Sequence, residues 1–194
     1  MDNESVQDII WHTVLRMIVA ACLTLGFGLV FFRLNVFNMR LTASQFLTSG
    51  VTAAITYAAL KTPRRRDGLA ALIVWYVILV FFVTQYTPWL LILCAAYVAG
   101  IAGAVYVYNQ FVVKNIVRGA VQRVAAAGVI TAVANALIIM FLGLWSWKAV
   151  AASMGFYASI VFRNLQFGTL IGIGFGIGVE CAEYIIRWRK VKAG

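Results

Sequence analysis

Charge is what this chain has least of. Asp, Glu, Lys and Arg make up 11% of its 194 residues, where a soluble domain carries about a quarter. That scarcity excludes an ordinary soluble domain. Histidine is nearly absent too. The single His12 excludes bis-histidine haem ligation and a His-rich metal site. The three cysteines, Cys22, Cys94 and Cys181, lie far apart in apolar surroundings and form no CxxC. They read as small buried hydrophobes, so no metal and no cofactor is expected.

Sequence signatures of chemistry are missing as well. There is no DG-x-x-AR pattern of lipid transferases, no EE…H pattern of membrane prenyl proteases and no GxSxG paired with a histidine. Cys181 would need a base, and His12 lies at the other end of the sequence. No catalytic role is expected. Segments of about ten residues with alternating polarity, the mark of a membrane β-barrel, do not occur. The opening MDNESVQDIIW has neither the basic start nor the small-residue cleavage site of a secretory signal peptide, and none is expected.

What is present is apolar sequence. Hydrophobic residues reach 63% and the mean hydropathy is +0.92. Apolar runs of about membrane-spanning length recur along the whole chain. They predict one integral membrane domain over residues 1–194, with spans at about 11–32, 41–60, 68–85, 89–110, 124–147 and 164–186. Residues 68–113 carry no charge and are too long for one span; TQYTPW, with Pro88 inside it, divides them. In lipid each backbone group must be satisfied within its own segment, so the expected fold is an all-α polytopic bundle of six transmembrane helices. The stretch 149–162 is only fourteen residues long between Lys148 and Arg163 and reads as a short re-entrant or interfacial helix.

The net charge of +10 sits mainly in short loops. With six spans, Lys61, Arg64, Arg65 and Arg66, then Lys114, Arg118 and Arg123, then Arg187, Arg189, Lys190 and Lys192 all fall on one side. The positive-inside rule makes that side cytoplasmic and puts both termini there, in a plasma (inner) membrane. Seven spans would send the basic tail outside. A nucleic-acid partner is not expected, because it would need a basic face on a folded module.

Two kinds of residue stand out within the apolar sequence. The last span holds Gly168, Gly172 and Gly176, a GxxxGxxxG run that lets helix backbones approach closely, and Gly174 and Gly178 repeat the spacing on the opposite side. On a helical wheel Gly172, Gly176, Glu180, Glu183 and Arg187 lie within an arc of about 80°. The glutamates therefore continue a packing stripe and face protein. Carboxylates at membrane depth seek a partner or a water-filled cavity. Arg16, the deepest charge of the first span, is the predicted partner. Arg16, Glu180, Glu183 and Arg187 together form a charge-balanced candidate cluster, either a cation or proton site or an interhelical clamp. A polar stripe of Ser44, Thr48 and Thr52, continued by Thr56, with Asn135 at mid-membrane on the fifth span, is a candidate hydrophilic path or, alternatively, helix packing.

Two functions follow as expectations. One is a membrane transport or channel subunit for a small solute or ion. The other is a non-transport membrane module, a sensor, anchor or assembly subunit. The partners expected are the lipid bilayer and either further copies of the chain or other membrane subunits.

Overall fold

The computed structural model describes residues 6–34, 43–61, 65–84, 90–116, 119–145 and 154–193. These form six helices: α1 (Val6–Leu34), α2 (Ala43–Lys61), α3 (Arg65–Thr84), α4 (Leu90–Val107), α5 (Ala120–Trp145) and α6 (Met154–Ala193). The α4 helix runs on as a wider π-helical segment, Tyr108–Ile116. No strand occurs among the described residues.

Four stretches are long and apolar enough to cross a membrane: Ile10–Phe27, Ala95–Lys114, Ala120–Phe141 and Ala158–Arg189. Within α3, Leu69–Phe81 is a shorter apolar stretch among the described residues. Large apolar side chains face outward along α3 (Ile73, Val77, Phe81) and α5 (Val129, Val133, Leu137). Lipid, being as apolar as these side chains, removes the cost that water would impose on them.

The last helix differs from the expected division into a short helix and a span. Residues 149–153 lie outside the described residues, and 154–162 are simply the first turns of α6. Nothing in MGFYASIVFRNLQFG breaks a helix, and there is no proline. The helix has 40 residues, about 60 Å at 1.5 Å per residue, twice the roughly 30 Å of a hydrocarbon core.

The α6 helix is the centre of the fold and packs chiefly against α5 and α1. Its glycines explain why. A β-carbon added at Gly168 would lie 2.7 Å from Ala132 Cα, and one at Gly176 would lie 3.0 Å from Val124 Cα. At Gly172 it would meet Gly128 Cα at 2.7 Å. That stripe therefore lies directly on the backbone of α5. The opposite stripe lies on α1, with Gly178 against Ala20 Cα at 2.7 Å and Gly174 against Thr24 Cα at 3.3 Å. Any larger residue on either stripe would force the helices apart. The remaining core gathers between them: Phe175 meets Tyr57 of α2 and Tyr108 edge-on, with ring centres 6.0 and 5.8 Å away.

Candidate functional site: a charged cavity at one end of the bundle

Two ion pairs form where the close packing of α6 on α5 and α1 ends. One turn past Gly176, Glu180 meets Arg123 in the first turn of α5. The guanidinium grips the carboxylate as a fork, Nε to Oε1 at 2.6 Å and Nη2 to Oε2 at 2.6 Å. On the other side, Glu183 meets Arg16 of α1, Nε to Oε1 at 2.8 Å and Nη2 to Oε2 at 3.5 Å. Tyr57 also donates its hydroxyl to Glu183 Oε1 at 3.2 Å. These side chains are only 15–23% exposed, so each carboxylate depends on its partners rather than on water.

The predicted cluster is thus assembled differently from its expected form. Arg16, Glu180, Glu183 and Arg187 do come to one end of the bundle. Arg16 pairs with Glu183 but not with Glu180. Arg187, although four residues after Glu183, gives its Nε to the Glu183 backbone carbonyl at 3.2 Å and makes no ion pair with either carboxylate. Arg123 and Lys61, both assigned from sequence to loops as topology signals, belong to the site. The helix α5 begins at Ala120, earlier than the uncharged run suggests, and carries Arg123 inside it.

Between these groups lies a cavity of about 270 Å³, lined by Tyr57, Lys61, Arg123, Glu180, Glu183 and Arg187, with Val113 of the π segment at its side. Its lining holds three cations against two carboxylates, and Arg16 stands directly behind Glu183 as a fourth cation. The site is therefore positive rather than charge-balanced. Lys61 holds its ammonium 5.5 Å from the centre of the Tyr57 ring, a cation–π placement. Towards the interior, Tyr57, Tyr108 and Phe175 are each 1% exposed and fill the bundle with aromatic rings.

The candidate polar path has a different fate. The side chains of Ser44 and Thr48 lie outside the described residues. Thr52 is fully buried and its hydroxyl accepts from Trp75 Nε1 of α3 at 2.9 Å. Thr56 donates back to the Thr52 carbonyl at 2.7 Å, and Ser49 is hydrogen-bonded to Tyr97 of α4. The Ser49 and Thr52 hydroxyls tie α2 to α4 and α3, while that of Thr56 bonds within its own helix. Asn135 is buried in the seam between α5 and α6, where a β-carbon on Gly168 would lie 2.9 Å from its Nδ2. That amide nitrogen has no hydrogen-bond partner among the described residues, and neither do Tyr108 Oη and Asn109 Oδ1.

Chemically, the end cavity offers fixed positive charge, a tyrosine hydroxyl and two neutralised carboxylates. It is equipped to hold a small polar solute. No protein-family model, curated protein or solved structure matches the chain.

Proposed function

We propose that the protein is a membrane transport subunit for a small solute or ion, with six spans, both termini cytoplasmic, and the charged cavity as its solute site on the cytoplasmic side. The observation that carries this reading is the cavity itself: lined by charged side chains, open at one end of an apolar bundle, and backed by the Tyr57–Phe175–Tyr108 rings. Alternating access needs a site reachable from one side and closed from the other, and edge-to-face packed aromatic rings are a suitable closure. The basic groups Arg16, Lys61, Arg123 and Arg187 gather at this end, which suits the cytoplasmic face.

The test is flux. Purified protein reconstituted into liposomes should raise the permeability to some members of a panel of small anions and cations above that of empty liposomes. Phe175→Ala should increase the leak. A folded, inserted protein with no flux for any member, in both forms, would rule the reading out.

A second reading is a non-transport module acting through further copies or other membrane subunits in the same inner membrane. One observation favours it: the Ser49 and Thr52 hydroxyls are spent on bonds that fasten α2 to α4 and α3. A native pull-down in mild detergent separates the two. A stoichiometric ATPase favours transport; a partner with no energy-coupling or channel component favours the module.

A further inference from the structure

We propose that the cavity binds a phosphate-type anion between the Lys61 ammonium and the Arg187 guanidinium. The inference deepens the solute-site reading above and rests on its choice of cavity. It starts from which charges are already answered. Glu180 and Glu183 are held by Arg123 and Arg16 at 2.6 and 2.8 Å. Lys61 and Arg187 have no carboxylate within ion-pair distance among the described residues. Lys61 sits over the Tyr57 ring, and Arg187 uses only its Nε, on a backbone carbonyl. The ammonium and the outer guanidinium nitrogens remain as donors into one cavity.

A cation entering this cavity would meet more positive than negative charge, so the lining selects for anions. The geometry also chooses among anions. A carboxylate has two oxygens in one plane, and a single arginine fork satisfies both. A tetrahedral phosphate turns oxygens towards two walls at once. A guanidinium from α6 and a compact ammonium from α2, both in the lining, can serve such a set of oxygens. The volume of about 270 Å³ suits a small ligand rather than a large organic one. The cavity lies where α2 ends and α6 leaves the bundle as the exposed Arg187-Trp188-Arg189. At such a boundary the anion can arrive as a free phosphate or as the headgroup of a phospholipid.

The experiment is equilibrium binding to the full chain in a neutral detergent. One arm titrates inorganic phosphate, with acetate as the comparison. The other uses native mass spectrometry with added phosphatidylglycerol, against phosphatidylcholine. The variants are Lys61→Gln, Arg187→Gln and, as a control for general surface charge at the same end, the exposed Arg66→Gln. Neither Lys61 nor Arg187 makes a side-chain ion pair, so these variants keep the fold, which thermal unfolding checks. Saturable binding of phosphate over acetate, or of phosphatidylglycerol over phosphatidylcholine, is expected. It should weaken roughly tenfold for each of the two site variants and stay unchanged in Arg66→Gln. Phosphate alone assigns a free solute, and phosphatidylglycerol alone assigns a headgroup. Binding of neither, or equal weakening in Arg66→Gln, overturns the inference. Binding without flux leaves it standing and removes the transport reading, whereas flux without such binding removes it and leaves transport.

Discussion

The two ion pairs look alike on paper, yet the structure predicts unequal costs of breaking them. Take Arg123→Gln. It leaves Glu180 without its fork, and no other side chain donates to that carboxylate among the described residues. Glu180 is 16% exposed, so water replaces little. Removing one partner of a buried pair costs about 3–5 kcal/mol, and partial exposure puts this case near 3 kcal/mol. Arg16→Gln is milder. Glu183 keeps the Tyr57 hydroxyl at 3.2 Å, is slightly more exposed at 23%, and starts from one good bond and one long one. A loss of about 1–2 kcal/mol is expected. At roughly 2–4 °C per kcal/mol for a chain of this size, Arg123→Gln should lower the unfolding midpoint by about 6–12 °C and Arg16→Gln by about a third to two thirds of that. The double variant Arg123→Gln with Glu180→Gln removes the stranded charge and should recover most of the loss. Thermal unfolding of purified protein in one detergent, followed by tryptophan fluorescence, reads all of these. Equal losses for the two arginines, or a double variant as unstable as Arg123→Gln alone, would refute the reasoning.

Further outcomes follow from the same contacts. Gly172→Leu and Gly178→Leu should abolish stable folding, because the new side chain would start against the backbone of α5 or α1, while Gly103→Leu, which meets nothing within 4 Å, should purify normally; size-exclusion profiles compare the three. Trp75→Phe removes the indole donor to Thr52 and should cost about 0.6–1 kcal/mol, read as a small drop in the unfolding midpoint. For topology, single cysteines placed near Tyr86 and Lys148 should label with an impermeant maleimide from outside intact cells and one in KTPRRRD should not; external labelling of the C-terminus would overturn the six-span orientation.

Much of this site could be read from spacing, because the residues that build it repeat at helical intervals. Gly168, Gly172 and Gly176 marked a close seam, and the same wheel turned Glu180 and Glu183 inward. Arg16 was legible as the deepest charge on the first span. Arg123 was not, because a charge next to an uncharged run looks like a loop residue; only the start of α5 at Ala120 puts it on the seam. Lys61 was hidden the same way, as part of a basic loop that sets topology. The continuity of 154–162 with the last span was hidden for a related reason. Charges at Lys148 and Arg163 suggest two boundaries, yet a helix twice as long as the hydrocarbon is thick can carry Arg163 near one end and Arg187 near the other.

Why the glycine seam with α5 should finish in a salt bridge follows from the repeat itself. Moving up α6 by four residues moves back along α5 by four: Gly168 lies on Ala132, Gly172 on Gly128 and Gly176 on Val124. A seam of small residues at four-residue intervals is nearly self-similar under a shift of one turn. The helices could slide about 5.4 Å and still pack. The glycines therefore bring α5 and α6 close without fixing their register. Glu180 and Arg123 break that symmetry, since a one-turn slide would strand a carboxylate beside apolar side chains. Single polar pairs fix register in this way in coiled coils, at some cost in stability. The hypothesis that the pair acts as a register lock makes a prediction that a merely stabilising role does not. Cysteines at Val124 and Gly176, where the helices are closest, should cross-link under mild oxidation in a chain whose other cysteines are replaced. With Arg123→Gln and Glu180→Gln added, cross-linking of 124 to 176 should fall, and a second pair at 120 and 176 should begin to form, while the unfolding midpoint stays close to that of the parent. Cross-linking that remains confined to 124 and 176 would mean that side-chain packing alone sets the register and that the pair serves only the cavity.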